Sequence, residues 1–480
     1  MTYLLKGGTV VTYDKDKKPR SYKSDILVEG STIVKIEKDI QPPPDVEIID
    51  VTDKWITPGF VDTHRHTWMT VMRASQADWL LTEYLVKNAW HVQGTITVDE
   101  LYIGQLTGCL EALHSGVTTI LDHFHTAHSP EHCEAALKAT VESGARVILC
   151  SARQSAPTSI TPDLKMEFGL EPDATNWQMA KMKEWATKDG CKLSPDGRVT
   201  LGFAYDQVGF GLPIEVNQQI LKQVRELGVE IITAHVVGGP HIMLWNEGGL
   251  LGPDVVFSHC NVLAHRDEPD DEMWAIMKKH GVGIGSTPED ELGMAHGNPV
   301  AFQAVERGVK CGLGIDCTSI NSGDIFTQMR IVLQWDRGRR HEKTLLSKVD
   351  PPKYNTHTSH EAFRLGTLGG AEAINLSHQI GTIEVGKKAD LVVFDTDSAN
   401  LAGSLDPFQA IVFNASNADV ELVMVNGDIV KRDGKLTKVD WKSLAKELKV
   451  KAKGIRERFS TEKLDAIWSE SYDTSGGPRW

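Results

Sequence analysis

Eight apolar segments in the middle of the chain constrain the fold more than any other feature of the sequence. None of them alternates apolar and polar residues, a pattern typical of strands that are covered on both faces. Amphipathic stretches such as 98–116 and 213–228 separate several of them, which predicts repeated strand–helix units and a parallel sheet. The eight segments are ITPGFVD, VTTILDH, ARVILCS, VTLGFAY, EIITAH, DVVFSH, GVGIGS and VKCGLGID.

Eight strand–helix units predict an α/β protein with a closed (β/α)8 TIM barrel. A doubly wound open sheet is the alternative, but no Gly-x-Gly-x-x-Gly turn follows the first strand. Both ends of the chain are rich in β-branched residues and glycine, which predicts a small β-sandwich domain formed by both termini. We expect sandwich segments at 1–55 and 376–440, the barrel at 56–375 and a helical tail at 441–480. Residues 336–356, polar and broken by proline, are expected to form a loop.

Charge and cysteine usage limit the partners and the compartment. The formal charge is −14, from 65 acidic against 51 basic residues, so nucleic acid is not an expected partner. No run approaches the ~18 apolar residues of a membrane helix, and the first residues lack the pattern of a secretory signal. Seven cysteines without CxxC spacing argue against a disulfide framework, so we expect a cytoplasmic protein.

Histidine and aspartate residues follow several of the apolar segments. His64 and His66 stand two apart at the end of the first barrel strand, where alternate side chains point the same way. His235, His259 and Asp316 end three later strands. Each alone has an ordinary explanation as a hydrogen-bonded histidine or a helix-capping aspartate. Together they predict a metal site, because the carboxyl ends of barrel strands converge on one rim.

The expected chemistry follows from these ligand types. Imidazole and carboxylate groups suit zinc and similar ions, so we expect His64, His66, His235 and Asp316 to be the ligands. Such an ion lowers the pKa of a coordinated water to about 7 and supplies hydroxide at neutral pH. Asp316 would also accept the proton of that water, and His259 would orient the water or stabilise charge on the substrate.

Several long motifs resemble the amidohydrolase superfamily, in the branch of atrazine and melamine chlorohydrolases, guanine deaminase and S-adenosylhomocysteine deaminase. They include ITPGFVDTHRHT, LLTEYLVKNAW, GCLEALHSGVTTILD, SHCNVL, STPEDELGMAHGNPVAFQAVERGVKCGLGIDC and GGAEAINLSHQIGTIEVGKKADLVVFD. The resemblance implies a distorted barrel with a β-sandwich domain, the same four ligands and His259 as the water-contacting histidine. It also implies hydrolysis of a C–N or C–halogen bond in a small cyclic or aromatic substrate, by a homo-oligomer of two or more subunits.

The sequence departs from that family at two positions. Binuclear members carry a lysine at the end of strand four, but the stretch here reads LGFAYDQ, which implies one divalent ion per chain. Zinc is the first expectation, with iron and manganese as alternatives. Deaminases of this branch carry a glutamate three residues after the third histidine, and Gly238 stands there instead.

Three explanations for Gly238 stay open. Another acid, Glu289 or Asp290, takes the role of the glutamate, or the substrate has a leaving group that needs little protonation. The third is a different reaction, directed at an ester or lactone or not hydrolytic at all. A scaffold protein without catalysis is a further alternative, which the survival of all four expected ligands disfavours.

Other residues near the predicted strand ends are candidates for contact with a small-molecule substrate. Each also has a plainer explanation, as an ordinary loop histidine or as a packing residue. These candidates are Trp68, His123, His125, Tyr205, Gln207, Glu289 and Ser319.

Overall fold

The structure is a computed structural model, and it describes residues 1–154, 156–159, 165–167, 176–348 and 352–471. The end of the expected tail, 472–480, lies outside the described residues. In chain order, the strands are β1 (Thr2–Lys6), β2 (Thr9–Tyr13), β3 (Pro19–Lys23), β4 (Asp25–Glu29), β5 (Thr32–Glu37), β6 (Glu47–Asp50), β7 (Trp55–Pro58), β8 (Phe60–His66), β9 (Val117–Phe124), β10 (Arg146–Ala152), β11 (Ala156–Ser159), β12 (Lys165–Glu167), β13 (Val199–Ala204), β14 (Ile232–Val236), β15 (Val255–His259), β16 (Gly283–Ser286), β17 (Lys310–Leu313), β18 (Asp316–Cys317), β19 (Leu391–Phe394), β20 (Val420–Val425), β21 (Asp428–Arg432) and β22 (Lys435–Leu436).

Helices alternate with the central strands and also end the described chain. They are α1 (Leu81–Tyr84), α2 (Val98–His114), α3 (Pro130–Ser143), α4 (Trp177–Asp189), α5 (Ile214–Glu226), α6 (His241–Glu247), α7 (Glu272–His280), α8 (Pro288–Gly293), α9 (Ala301–Arg307), α10 (Ile325–Leu346), α11 (Ser359–Arg364), α12 (Gly370–Ala373), α13 (Pro407–Phe413), α14 (Trp441–Arg458) and α15 (Thr461–Ser471). Short 3-10 or π-helical segments lie at Thr67–Met72, Leu85–Val92, Gln93–Thr95, Asn261–Leu263, Leu365–Gly369 and Asn417–Asp419.

The central sheet closes into a barrel. Its strand order is β17-β16-β15-β14-β13-β10-β9-β8-β18, with every neighbouring pair parallel. Strands β17 and β18 are the two edge strands of this sheet, and they follow each other directly in the chain. The last apolar segment, which contains β17 and reaches β18, therefore joins the two edges. Asp316 pairs with Arg65 and Cys317 with His66 at this seam. The predicted TIM barrel is confirmed, and it places His64, His66 and Asp316 next to each other across the closure.

The first predicted strand is divided between two sheets. Trp55–Pro58 forms β7 outside the barrel, and the barrel strand β8 begins at Phe60. Gly59 lies between them, and a Cβ atom there would come within 2.0 Å of Thr118 Oγ1. Glycine therefore permits the chain to leave one sheet and enter the other at this close approach.

Strands from both ends of the chain form the sheets outside the barrel. A seven-stranded sheet has the order β22-β21-β20-β19-β7-β2-β3, and a four-stranded sheet has the order β5-β4-β1-β6. Their apolar faces include the buried Val10, Ile56 and Val393. This confirms the expected β-sandwich made by both termini, whereas the boundaries drawn at 55, 375 and 440 stay a prediction.

The expectation of a loop at 336–356 is wrong for its first half. Helix α10 continues to Leu346, and Arg340 on it pairs with Asp336 one turn earlier, at 2.8 Å. Asp336 is also 2.7 Å from His357 Nδ1, so its carboxylate is satisfied inside the fold. Charged residues that pair at helical spacing support a helix, although their polarity suggested a loop.

The two final helices pack beside the first part of the barrel. Arg458 at the end of α14 binds both carboxylate oxygens of Glu100 on α2, at 2.7 and 2.8 Å. Among the described residues, no helix combines the length and the apolar character that crossing a membrane requires.

Candidate metal centre

Three histidines and one aspartate converge at the carboxyl ends of the barrel strands. Asp316 Oδ1 lies 3.3 Å from His64 Nε2 and 3.2 Å from His66 Nε2. His66 Nε2 is also 3.2 Å from His235 Nε2. His64, His66 and Asp316 are almost fully buried, whereas the ring of His235 is 28% exposed. All four residues singled out from the sequence as ligands therefore lie together at this rim of the barrel. Among the described residues, the groups whose donor atoms lie close enough to hold an ion are His64–His123–His235, His64–His259–Asp316 and His66–Asp316–Cys317.

The second nitrogen of each histidine ring has its own partner. His66 Nδ1 lies 2.8 Å from the carbonyl oxygen of His123, and His64 Nδ1 is 2.7 Å from Ser258 Oγ. A carbonyl accepts only, so His66 Nδ1 carries the proton and Nε2 presents a lone pair to the centre. Burial lowers the pKa of His64 to about 3, which keeps that ring neutral. Neutral imidazoles with outward N–H groups are what metal ligation requires.

Asp206, which the sequence analysis did not single out, holds the third histidine. Its Oδ2 lies 3.0 Å from His235 Nδ1 and 3.1 Å from His123 Nε2, and its Oδ1 accepts the His235 backbone N–H at 2.7 Å. Burial opposes ionisation, but His235 and His123 outweigh it and keep the pKa of Asp206 well below its usual range. In the sequence, Asp206 could have been found from its position directly after the fourth barrel strand, because the expected ligands also lie at that rim.

A second buried carboxyl group adjoins the centre. Burial and the charge of Asp316 raise the pKa of Asp290 well above its usual value, while Asp290 and the adjacent His64 lower the pKa of Asp316 despite its burial. These opposite shifts favour a proton on Asp290 and a charge on Asp316. Glu289, the other acid considered in place of the missing glutamate, accepts hydrogen bonds from Ser322 and Gln328 instead.

His259 stands beside the four expected ligands, and with His64 and Asp316 it forms one of the groups that could hold an ion. Its Nε2 is 3.5 Å from Asp316 Oδ2, and its Nδ1 is 2.9 Å from Thr287 Oγ1. Burial lowers the pKa of His259 well below its usual value, so the ring is neutral at pH 7. The backbone of His259 is left-handed at φ 72°, as is that of Asp316 at φ 64°. Such strained conformations in non-glycine residues cluster at functional sites.

Of the candidate substrate contacts, the histidines and Trp68 lie nearest the centre. His125 stacks on His66 with ring centroids 3.9 Å apart, and His123 lies 4.2 Å from His235 by the same measure. Trp68 Nε1 donates to His125 Nδ1 at 3.2 Å, which fixes the orientation of the His125 ring. These three residues form a wall around the metal centre.

The other candidates are engaged elsewhere. The Tyr205 hydroxyl donates to Asn217 on α5 at 2.6 Å, and Gln207 accepts a hydrogen bond from Arg153. The Ser319 hydroxyl donates to Gln76 at 2.7 Å and is fully buried. The role of these residues in substrate contact stays a prediction.

The position of the missing glutamate is sterically open. A Cβ atom at Gly238 would meet no atom within 4 Å, and Gly238 does not have the positive φ that excludes other residues. The structure therefore gives no packing reason for a glycine at this position.

Comparisons with known proteins agree with this architecture. The amidohydrolase family model matches residues 55–201 and 216–430. A 5'-deoxyadenosine deaminase of Methanobrevibacter smithii is 28% identical over 456 residues, which cover 91% of this chain and 95% of that protein. A 5-methylthioadenosine/S-adenosylhomocysteine deaminase of Pyrococcus abyssi is also 28% identical, over 92% of this chain and 96% of its own length.

Solved structures show the same fold at lower identity. A variant of atrazine chlorohydrolase from Arthrobacter aurescens TC1, complexed with zinc and atraton, superposes with a TM-score of 0.78 at 18% identity. The match covers 94% of this chain and 100% of that one. An adenosine deaminase from Xanthomonas campestris with bound zinc gives a TM-score of 0.77 at 19% identity, over 95% and 98% of the two chains.

Proposed function

This chain belongs to the amidohydrolase family, and from that premise we propose that it is a metal-dependent hydrolase of small cyclic or aromatic molecules. The bond cleaved is a C–N or a C–halogen bond. The observation that carries the proposal is that His64 and His66 each lie within 3.3 Å of Asp316 Oδ1, and that His235 lies 3.2 Å from His66.

The donor set fits one divalent cation, and zinc suits it best. Ligand atoms about 2.1 Å from a tetrahedral zinc ion lie roughly 3.4 Å from one another. Three of the six separations between these donors, His64–Asp316, His66–Asp316 and His66–His235, are 3.2–3.3 Å and agree with that value. His64 Nε2 is also a buried nitrogen that makes no hydrogen bond with any of the described residues, and a cation would satisfy it. Iron and manganese are alternatives with the same ligand types.

When bound, the ion acts as a Lewis acid that makes hydroxide available at neutral pH. The protein supplies the remaining groups. Asp316 Oδ2 is 3.5 Å from His259 Nε2, so the two side chains flank one space in which an attacking water can be held. Asp316 accepts a proton from this water, and neutral His259 orients it or donates to the developing oxyanion. The buried surroundings strengthen both interactions.

Relatives of this chain are deaminases of adenosine-type molecules, which directs the proposal to an amino group on a nitrogen heterocycle. The wall of His125 and Trp68 suits a planar substrate. A second candidate is hydrolysis of a better leaving group, either a halide on such a ring or an ester or lactone. Gly238 favours it, because the acid that protonates a departing amine is absent from that position.

A substrate panel with direct product analysis tests the proposal. Zinc-loaded protein is incubated in ¹⁸O-water with adenosine, 5'-deoxyadenosine, S-adenosylhomocysteine and atrazine, and the products are identified by mass spectrometry. We expect one solvent oxygen in the product and equimolar release of ammonia or chloride, with activity lost in the His64→Ala variant. Turnover without label would contradict hydrolysis, and absence of any bound metal would contradict the metal centre.

We also propose that the chain forms a homo-oligomer and acts in the cytoplasm, as expected of an amidohydrolase with small-molecule substrates. Light scattering of the purified chain and fractionation of the source cells test these two points separately.

A further inference from the structure

His296 lies beside the catalytic histidine on a loop that the proposed mechanism does not use. The loop follows α8, and the His296 ring packs edge-on against that of His259, with centroids 4.8 Å apart and planes at 84°. Because His259 Nε2 is 3.5 Å from Asp316 Oδ2, this contact places the ring next to the candidate metal centre. His296 is therefore part of the same pocket, although no barrel strand carries it.

Both ring nitrogens of His296 lack a hydrogen-bond partner among the described residues, and both atoms are inaccessible to solvent. An unpaired buried polar group costs free energy, so it calls for an explanation. Burial lowers the pKa of His296 to about 4, and the ring is neutral at pH 7. A neutral imidazole offers one N–H donor and one nitrogen acceptor.

The backbone around His296 is strained and firmly anchored. Ala295 and Gly297 on its two sides have φ of 59° and 133°. The His296 N–H donates to the carbonyl of Glu291 at 3.1 Å, which ties the residue to the end of α8. Left-handed backbone in an alanine is costly and persists where surrounding contacts impose it.

Two neighbouring segments hold the same loop from other sides. The Leu81 N–H donates to the Met294 carbonyl at 2.9 Å, and Asn261 Nδ2 donates to the Asn298 carbonyl at 3.0 Å. Leu81 begins the helix after the first barrel strand, and Asn261 follows His259 closely. The position of the ring is thus set by three parts of the rim, as expected of a preorganised contact.

We propose that His296 is a substrate-binding residue, whose N–H and ring nitrogen form hydrogen bonds with a nitrogen heterocycle held next to His259. This inference rests on the proposed function for the nature of the substrate. It assigns to His296 a polar contact with the ring, in a pocket that lacks the glutamate at position 238.

Binding and turnover of the same compounds test this role with matched variants. His296→Ala removes both hydrogen-bonding atoms, and His296→Gln keeps one donor and one acceptor. His280→Ala is the control, because His280 also has an unpaired buried Nε2 but ends α7 at the opposite end of the barrel. Equilibrium dialysis of the zinc-loaded chain with adenosine, 5'-deoxyadenosine and atrazine gives Kd, and steady-state assays give KM and kcat.

We expect His296→Ala to raise Kd and KM about tenfold, as loss of a buried hydrogen bond does, with zinc content and Tm unchanged. His296→Gln should recover most of the affinity, and His280→Ala should match the wild type. A Kd of His296→Ala within threefold of wild type overturns the inference, as does a wild type that binds none of the compounds. Binding without turnover contradicts the proposed hydrolysis alone, because the Kd comparison still decides the role of His296.

Discussion

Asp206 holds His235 at two points, the ring Nδ1 at 3.0 Å and the backbone N–H at 2.7 Å. One carboxylate thus fixes both the position of the residue and the tautomer of its ring. The proton stays on Nδ1, and the lone pair of Nε2 faces His66 and the centre.

The Asp206→Asn variant therefore tests a positioning residue of the metal centre. An amide can present its NH2 group to His235 Nδ1 and no longer favours the correct tautomer. We expect zinc affinity to fall about 10- to 100-fold, measured by competition with a chelator, with Tm of the metal-free protein nearly unchanged. Asp254→Asn is the control, because Asp254 pairs with Arg225 at the other end of the barrel. Equal zinc affinities of the two variants would contradict the assignment.

Alanine substitution of each expected ligand should abolish metal binding and activity together. His64→Ala, His66→Ala, His235→Ala and Asp316→Ala each remove one donor from a set of four, and three donors hold the ion far less tightly. Metal content after dialysis, measured by mass spectrometry, is the readout. A variant that keeps one ion per chain would show that the replaced residue is not a ligand.

His259→Ala should separate metal binding from turnover. Because the four expected ligands complete a tetrahedral donor set without His259, we expect the variant to retain most of its metal. Loss of a group that orients water or stabilises an oxyanion typically lowers kcat by about 10²–10³-fold. Loss of the metal in this variant would place His259 among the ligands.

Gly238→Glu introduces a carboxylate at the position where the resemblance to the deaminases implies a glutamate. The open space around Gly238 predicts an unchanged Tm, whereas Gly239→Glu should be destabilised because Gly239 has a φ of 74°. If protonation of the departing amine limits the rate, ammonia release should rise at least about tenfold while chloride release does not. An equal effect on both leaving groups would show that the glutamate acts in another way.

Lys431 should make stability depend on pH in the alkaline range. Its side chain is fully buried, and Nζ donates to the carbonyls of His114 and Asn417 at 2.7 and 3.2 Å. Burial lowers its pKa to about 8, below the unfolded value of about 10.4. As the pH rises, the folded state loses this proton at a lower pH than the unfolded state does. Burial of the charged lysine therefore destabilises the fold below pH 8, and this destabilisation disappears as the pH rises to 10.

Urea unfolding of wild type and Lys431→Met at pH 7 to 10 measures this cost. Between pH 7 and pH 10, the free energy of unfolding of the wild type should rise relative to that of the variant by on the order of 2 kcal/mol. Lys449→Met, at an exposed lysine, should show no such trend. A constant difference between wild type and Lys431→Met would contradict the lowered pKa.

The convergence of the four expected ligands at one rim was predictable, because these residues follow simple rules of strand geometry. His64 and His66 share a face by the two-residue period, and His235 and Asp316 end apolar runs at the same rim. The barrel followed from eight such runs. These features depend on local pattern and on the parallel direction of the strands, and both can be read along the chain.

Asp206 and His296 were not predictable in the same way. A single aspartate after a strand is ordinary, and the importance of Asp206 comes from the side-by-side placement of β9, β13 and β14 in space. His296 lies outside the strand pattern, and hydrogen bonds to distant segments set its position. The helix in the first half of 336–356 was not predicted, because a run of charged residues indicates a helix only when the ion pairs between them are known.

The seven-stranded sheet has a consequence for how the chain is made. Strand β7 pairs with β2 from the beginning of the chain and with β19 near its end. The sheet therefore cannot be completed until a strand more than 300 residues after β7 has been synthesised. During synthesis the barrel segment emerges before β19 and can close while the seven-stranded sheet is still incomplete. Slow pairing of such distant strands predicts that a nascent chain stopped before residue 391 exposes an unprotected sheet edge to chaperones and proteases.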